Sequence, residues 1–333
     1  MRTDQTRVRG LLAALTALAL TLGVAACGSN DDGTASDATE RSTEVAKEGS
    51  IQPDPENSKV SLTIGSKNFP EQEILGEIYA QALAAAGFKV KTALNLGSET
   101  VALKAVKTRQ ITGYPEYAST ALTSFFGLEP EEVPSDPDKA WLKATRKLSH
   151  EDLEAFRPTP FASANAVGTT RETAEKYGLK TISDLKGISE KLSLYGSPEC
   201  RQRIDCLAGL EELYGLKFKS FTPVDIGLRY TVLEKGQADL SILFTTDPQL
   251  SAESDKFVIL EDDKKVFPAG NVIFVTRRNA GWETRGRLEQ TVEHVQTGLT
   301  LKVMQELNAR VELEKETPKA AAKAYLESAG YIG

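Results

Sequence analysis

The sequence has 333 residues, and its 47 Asp and Glu residues outnumber its 40 Lys and Arg residues to give a formal net charge of −7. Residues 1–26 contain three arginines and one aspartate, so the remainder of the chain carries −9. This acidity argues against a nucleic acid as partner, because nucleic-acid-binding proteins present a basic surface.

The N-terminus has the parts of an export signal. Arginines precede an apolar run at residues 11–22, and small residues follow it. The run is too short for a membrane-spanning helix. Val-Ala-Ala-Cys at 24–27 resembles the bacterial lipobox, in which the signal is removed before a cysteine that is then acylated. We therefore expect Cys27 to be a lipid anchor; the alternative is an ordinary signal peptide followed by a cysteine by chance.

Residues 27–58 contain almost no large apolar side chains and are rich in Ser, Thr, Asp and Glu. A segment of this composition cannot bury a hydrophobic core. The sequence therefore predicts a signal peptide at 1–26 and a disordered tether at 27–58. The chain that remains is long enough for one large core or two smaller ones.

The first part of the folded region alternates strands with helices. Strands are predicted at residues 60–64, 88–94 and 111–114, and helices at 71–86 and 95–107. The first helix shows apolar residues at helical spacing and ends at Gly87. This order predicts a parallel α/β sheet, with ligands beyond the carboxyl ends of its strands.

The later part of the chain repeats this pattern, which predicts a second lobe. Strands are predicted at 166–168, 192–194, 240–244, 258–260 and 272–275, and helices at 170–177, 226–235 and through 281–329. We expect the chain to cross between lobes near 160–166 and to return near 262–272. The first lobe would then comprise 59–162 and 263–333, and the second lobe 163–262.

The cysteines and the absent motifs limit the chemistry. With Cys27 assigned to lipid, Cys200 and Cys206 predict a disulfide in an exported protein. Zinc is the weaker alternative, because His150 and His294, the only histidines, are both remote in sequence. The sequence contains no phosphate-binding glycine loop, no His-Glu-x-x-His and no Gly-x-Ser-x-Gly. We therefore expect no enzyme activity, no cofactor and no metal site.

Four motifs occur in an order that is typical of one family. They are GSKNFPEQ at 65–72, NLGS at 95–98, YPEYAST at 114–120 and FTTDP at 244–248. From about Val60 to the C-terminus the chain resembles the glycine betaine, choline and carnitine binding proteins of osmoprotectant ABC importers. The resemblance implies an α/β, two-lobed periplasmic-binding-protein fold of type II (Venus flytrap) with hinge crossovers, which closes on its ligand and docks on a permease.

The resemblance also implies a site for a zwitterion. Family members hold the ligand carboxylate with a lysine, a threonine and an arginine, which match Lys67, Thr120 and Arg203 here. Such donors suit a carboxylate, although each residue could instead be a solvated surface group. Members enclose the quaternary ammonium in a cage of tyrosines, and Tyr117 stands at one of these positions.

The other cage positions depart from the family pattern. They hold Asn165, Phe244 and Gly270, which leaves two aromatic faces at most for cation–π contacts. Either the chain binds a trimethylammonium compound weakly, or Asn165 and Ser163 serve a ligand with hydrogen-bond donors, such as an amino-acid derivative or a polyol. Asp247 is predicted either to orient the pocket loop or to cap the helix that follows it, and the cap is favoured.

These observations predict a monomeric, extracytoplasmic receptor that is lipid-anchored to the outer face of the cell membrane. Its expected partners are a small zwitterionic or polar solute and an ABC permease with its ATPase complex. A ligand that touches Lys67 and Thr120 on one lobe and Arg203 and Phe244 on the other would favour closure. The alternatives are a lipoprotein sensor or adhesin with a borrowed binding fold, and an enzyme of the same fold.

Overall fold

The computed structural model describes residues 49–333; the predicted signal peptide, Cys27 and most of the predicted tether lie outside the described residues. The strands are β1 Ser61–Gly65, β2 Lys89–Ala93, β3 Gly113–Tyr117, β4 Leu153–Ala155, β5 Ala162–Ser163, β6 Asn165–Thr170, β7 Ser193–Gly196, β8 Ser220–Pro223, β9 Leu240–Phe244, β10 Phe257–Ile259 and β11 Gly270–Arg277. The helices are α1 Pro70–Ala85, α2 Glu99–Lys107, α3 Ala118–Thr120, α4 Pro137–Ser149, α5 Arg171–Tyr177, α6 Leu207–Glu212, α7 Arg229–Glu234, α8 Gln249–Ala252, α9 Arg278–Glu283, α10 Arg287–Gln296, α11 Leu301–Glu312 and α12 Pro318–Ser328.

The first sheet has the strand order β2-β1-β3-β11-β4, and β5 pairs with the start of β11. Strands β1, β2 and β3 are parallel, as their alternation with helices predicts. Strand β11 runs antiparallel to β3, β4 and β5, so the complete sheet is mixed. Connections between parallel strands of one sheet follow a handedness rule. This rule does not constrain the direction of β11, because the chain enters β11 from the second sheet rather than from a neighbouring strand.

The second sheet has the order β10-β6-β9-β7-β8. Strand β7 is parallel to β8 and β9, whereas β6 runs antiparallel to β9 and β10. The chain leaves the first sheet after Ser163 and enters the second at Asn165. It returns between Ile259 and Gly270.

Strand register brings the ends of both sheets to these crossovers. Gly270 pairs with Ser163 in the first sheet, and Asn165 pairs with Phe244 in the second. Tyr117, the last residue of β3, pairs with Val272 two residues beyond Gly270. The carboxyl ends of β3 and β9 therefore lie at the crossovers, where an open α/β sheet places its ligand.

Helix α1 packs its apolar face into the hydrophobic core of the first sheet. Ile74, Ile78 and Leu83 are fully buried, and Tyr79 meets Phe274 of β11 edge to face with ring centroids 5.4 Å apart. This burial follows from the helical spacing of apolar residues in the sequence. Helix α1 therefore supports β1, and the chain runs from the carboxyl end of β1 into the cleft.

Cys200 and Cys206 form a disulfide with Cα atoms 5.1 Å apart. Both residues are buried, and the bridge closes the short loop that carries Arg203. Within residues 49–333, no helix combines the length and apolar composition needed to cross a membrane. The same part of the chain contains no cluster of His, Cys, Asp or Glu side chains arranged to hold a metal ion.

Candidate functional site

A cleft at the crossovers collects the predicted binding residues. Its empty volume is about 830 Å³, part of which is open to solvent, and this lies in the range typical of small-molecule sites. All seven residues proposed from the sequence line it: Lys67, Tyr117, Thr120, Ser163, Asn165, Arg203 and Phe244. The structure thus brings together residues that lie up to 177 positions apart in the chain.

Lys67 lies two residues after β1, and its ammonium forms an ion pair with Glu116 of β3. Lys67 is only 4% exposed and Glu116 is fully buried. The Lys67 Nζ atom also lies 4.6 Å from the ring centroid of Tyr117 and 5.7 Å from that of Phe69. A cation of the protein therefore already occupies these two aromatic faces.

Phe69 is a cleft residue that the sequence analysis missed. Its ring stacks with that of Tyr117 at 6.4 Å and 10° and contacts that of Phe244 at 5.3 Å. Phe69 lies in the motif GSKNFPEQ at 65–72, from which only Lys67 was assigned to the site, and a single aromatic residue in this mostly polar motif was the signal available in the sequence. With Phe69 and with Phe267, which also lines the cleft, the lining contains four aromatic rings.

Hydrogen bonds fix the position of Tyr117. Its hydroxyl donates to Glu71 Oε1 at 2.5 Å, and the Asn308 amide donates to Glu71 Oε2 at 2.8 Å. Burial raises the pKa of Tyr117 well above its usual value, and the neighbouring Glu71 raises it further. Burial likewise raises the pKa of Glu71. Tyr117 is thus a neutral phenol whose ring is held from the rear of the cleft.

Asp247 organises the other wall rather than a helix start, so the predicted cap is wrong. Helix α8 begins at Gln249 without a side-chain cap. The Asp247 carboxylate instead accepts from Arg229 Nη2 at 2.9 Å, from the Tyr230 hydroxyl at 3.0 Å and from the Phe244 backbone N–H at 2.8 Å. Because the carboxylate oxygens of Asp247 already accept from these three donors, one of them a charged guanidinium, they are not directed at the first turn of α8.

Arg229 was also missed from the sequence. It lines the cleft, is 3% exposed, and places its guanidinium carbon 4.1 Å from the Phe244 ring centroid. In the sequence it lies within a predicted helix, where an arginine is most often a surface residue. Phe244, like Tyr117, therefore already has a protein cation against its ring.

Arg203 links the two walls of the cleft. Its Nε and Nη2 atoms donate to the two carboxylate oxygens of Asp205 at 2.7 and 2.5 Å. Nη2 also lies 3.5 Å from Thr120 Oγ1, and Nη1 lies 3.7 Å from Glu99. Burial disfavours the charged form of Arg203, but Asp205 outweighs it and raises the pKa of Arg203. Burial also opposes ionisation of Asp205, yet Arg203 keeps the pKa of Asp205 lowered.

Asn165 and Ser163 lie at the crossover itself. The Asn165 amide donates to the backbone oxygen of Asp205 at 2.8 Å, which supports the loop around Arg203. The Ser163 hydroxyl shares a 3.0 Å hydrogen bond with Thr246 Oγ1. Both polar side chains line the cleft.

Gly270 is required by close packing. A Cβ atom at this position would lie 2.2 Å from Ser119 Oγ and 3.0 Å from Tyr117 Cβ. We expect Gly270→Ala to lower the free energy of unfolding by about 1–3 kcal/mol in urea titration, because the neighbours must shift. The matched control is Gly227→Ala, where the nearest atom to the added Cβ is 3.4 Å away. Equal stability of both variants would contradict this explanation.

Glu312 should make the free energy of unfolding depend on pH. Burial raises its pKa from 4.5 to about 7, and the nearby Asp247 charge adds to the shift. Because the folded chain keeps this proton to higher pH than the unfolded chain, stability should fall as pH rises from about 4.5 to 7. We expect Glu312→Gln to add on the order of 2–3 kcal/mol at pH 8 and little at pH 4.

The control for this effect is Glu306→Gln in the same helix, whose side chain is 62% exposed. Urea unfolding at pH 4, 6 and 8 would measure both variants. The same pH profile for Glu306→Gln and Glu312→Gln would contradict the assignment.

Comparison with known proteins agrees with this architecture. Residues 60–328 match the family described as the substrate binding domain of ABC-type glycine betaine transport systems. A glycine-betaine-binding protein of Pseudomonas aeruginosa is 31% identical over 277 residues, covering 80% of this chain and 87% of that protein. The carnitine transport binding protein OpuCC of Listeria monocytogenes is 27% identical over 281 residues, covering 83% and 89%.

Solved structures lead to the same fold. The crystal structure of a glycine betaine/carnitine/choline ABC transporter matches with a TM-score of 0.63 and 26% identity, covering 82% of this chain and all of that one. The resemblance found in the four sequence motifs and the predicted type II periplasmic-binding-protein fold are both confirmed. This chain belongs to the family of substrate-binding domains of ABC-type glycine betaine transport systems, and it is the substrate-binding component of an ABC importer.

Proposed function

We propose that this chain is a lipid-anchored receptor that captures a small zwitterionic solute of the glycine betaine class and delivers it to a permease with its ATPase complex. The observation that carries the proposal is the cleft, which combines four aromatic rings with three cationic side chains and several hydroxyl and amide groups. A zwitterion needs donors for its carboxylate and a negative or aromatic surface for its cation. The relatives named for glycine betaine and carnitine support this class of solute.

The donors for the solute carboxylate are Lys67, Thr120 and Arg203, with Ser163 and Asn165 beside them. Thr120 and Arg203 approach each other to 3.5 Å across the cleft, so one carboxylate can contact both. Lys67 and Arg203 already have protein carboxylates as partners. The solute would therefore share these cations, because a guanidinium has five N–H donors and an ammonium has three.

Closure follows from contacts on both walls. We propose one lobe at 59–162 and 263–333 and another at 163–262, with Thr120 and Phe69 on the first and Arg203 and Phe244 on the second. A solute that touches both lobes stabilises the closed form by its differential affinity. The permease would then recognise the closed monomer.

A second candidate is a polar solute that is not a quaternary ammonium, such as an amino-acid derivative or a polyol. It is favoured by the Lys67 ammonium, which lies against Tyr117 and Phe69 where a trimethylammonium group would bind. The polar residues Ser163 and Asn165 offer hydrogen bonds that such a solute could use.

Calorimetric titration of the purified mature chain tests both candidates. Glycine betaine, choline, carnitine, proline and a polyol would be titrated under the same conditions. Saturable betaine binding that is lost in Tyr117→Ala would support the first candidate. Binding of proline or the polyol alone would support the second, and binding of no solute would contradict the proposed role.

The anchor has a separate test. We propose that the signal is removed before Cys27 and that acyl chains on this residue hold the receptor at the outer face of the membrane. Cells that express the chain would be labelled with a radioactive fatty acid and fractionated. The wild-type chain should carry label and sediment with membranes, whereas Cys27→Ala should be unlabelled; equal labelling of both would contradict the assignment.

A further inference from the structure

The cations that line the cleft are all paired with carboxylates, whereas two lining carboxylates, Glu99 and Glu199, have no hydrogen-bonded cation among residues 49–333. Each cation that lines the cleft has its own carboxylate within hydrogen-bonding distance. The pairs are Lys67 with Glu116, Arg203 with Asp205, and Arg229 with Asp247. The remaining buried carboxylate of the lining is Glu99.

Glu99 begins α2, and its side chain is 8% exposed. Its nearest cation is Arg203 Nη1 at 3.7 Å, which is too far for a hydrogen bond. Arg203 already directs two donors to Asp205. Within the described chain, Glu99 therefore shares the Arg203 guanidinium with Asp205 as an ion-pair partner but accepts no hydrogen bond from a cation, so its oxygens keep acceptor capacity for a solute donor.

Three of the four aromatic rings that line the cleft already have a protein cation against them, and the fourth, Phe267, packs in the hydrophobic core of the second sheet. Lys67 lies against the rings of Tyr117 and Phe69, and Arg229 lies against that of Phe244. A trimethylammonium group has no N–H, so it cannot donate a hydrogen bond to a carboxylate. An ammonium that keeps at least one N–H can, and a charge-assisted hydrogen bond of this kind is stronger than a neutral one.

We propose that Glu99 receives the cationic nitrogen of the solute through an N–H hydrogen bond, and that the preferred zwitterion is incompletely methylated. This inference rests on the proposed function, since it places the solute carboxylate near Thr120 and Arg203. Glu99 is then the residue that selects among zwitterions of the same size. The selection follows from hydrogen-bond donors rather than from the aromatic cage.

A series of four solutes tests the inference, because its members share one carboxylate and differ in N-methylation. They are glycine betaine, N,N-dimethylglycine, sarcosine and glycine. Calorimetric titration of the mature wild-type chain should give tighter binding for dimethylglycine or sarcosine than for glycine betaine, by about tenfold or more. Affinity that rises with every added methyl group would overturn the inference.

The Glu99→Gln variant keeps the size of the side chain and removes its charge. It should weaken binding of the N–H solutes by about tenfold or more and change betaine binding by less than about threefold. The control is Glu131→Gln, an exposed carboxylate of the same lobe, which should leave all affinities unchanged. Melting curves would establish that each variant is folded.

The outcomes separate the inference from the proposed function. If betaine binds tightly and Glu99→Gln changes no affinity, the receptor role stands and the inference is overturned. If no member of the series binds to the wild-type chain, both are overturned.

Discussion

Replacement of Lys67 by methionine is expected to lower the free energy of unfolding by about 3–5 kcal/mol. The reason is Glu116, which is fully buried and has Lys67 as its ion-pair partner. Without the ammonium, Glu116 keeps hydrogen bonds only from the Tyr117 backbone N–H at 2.8 Å and the Tyr114 hydroxyl at 3.0 Å. A buried charge with no counter-ion is among the costliest defects that a substitution can create.

A double-mutant cycle by urea unfolding would measure this coupling. Adding Glu116→Gln to the Lys67→Met variant should recover most of the lost stability, because the pair is then removed together. The matched control is Lys59→Met. Lys59 pairs with Glu56 at 2.8 Å, but its side chain is 70% exposed, so we expect a cost below about 1 kcal/mol. Equal costs at positions 59 and 67 would refute the explanation.

Arg203→Gln is expected to weaken solute binding by about 100-fold or more, which corresponds to about 3 kcal/mol. Arg203 contacts Asp205 on its own loop and Thr120 and Glu99 across the cleft. Its loss removes a donor for the solute carboxylate and also the charged contact between the walls. Both losses disfavour the closed form.

Calorimetry would measure the affinity, and small-angle X-ray scattering would measure closure on addition of solute. The control is Arg201→Gln in the same loop, because Arg201 is exposed and stacks on Phe221 at 4.9 Å. We expect Arg201→Gln to bind and close like the wild-type chain. Similar affinities for the two variants would mean that Arg203 has no direct part in binding.

The sequence predicted the fold through periodicity and motifs, which are local signals. The apolar spacing of α1 and the alternation of strands and helices led to the first sheet, whereas the antiparallel direction of β11 depends on a return from the second sheet. The motifs likewise indicated the cleft-lining residues. A motif gives the position of Lys67 but carries no information on its ion-pair partner, which lies 49 residues away.

Two of the residues that were missed, Arg229 and Glu99, share one physical cause. Arg229 and Glu99 are charged side chains within helical segments, where exposure is the usual state. Their burial is a tertiary property, because Arg229 pairs with Asp247 and lies against Phe244, and Glu99 lies near Arg203. Phe69 has a different cause, because the motif that contains it was used only to assign Lys67.

The disulfide affects when the receptor can first hold its solute. Cys200 and Cys206 are 1% and 2% exposed, so the thiols must be oxidised while the loop around Arg203 is still folding. Thiols stay reduced in the cytosol, and bridges form after export. A newly synthesised chain would therefore encounter intracellular solute before the disulfide has fixed the loop around Arg203. The receptor would begin to retain the solute only outside the cell, where an importer collects its substrate.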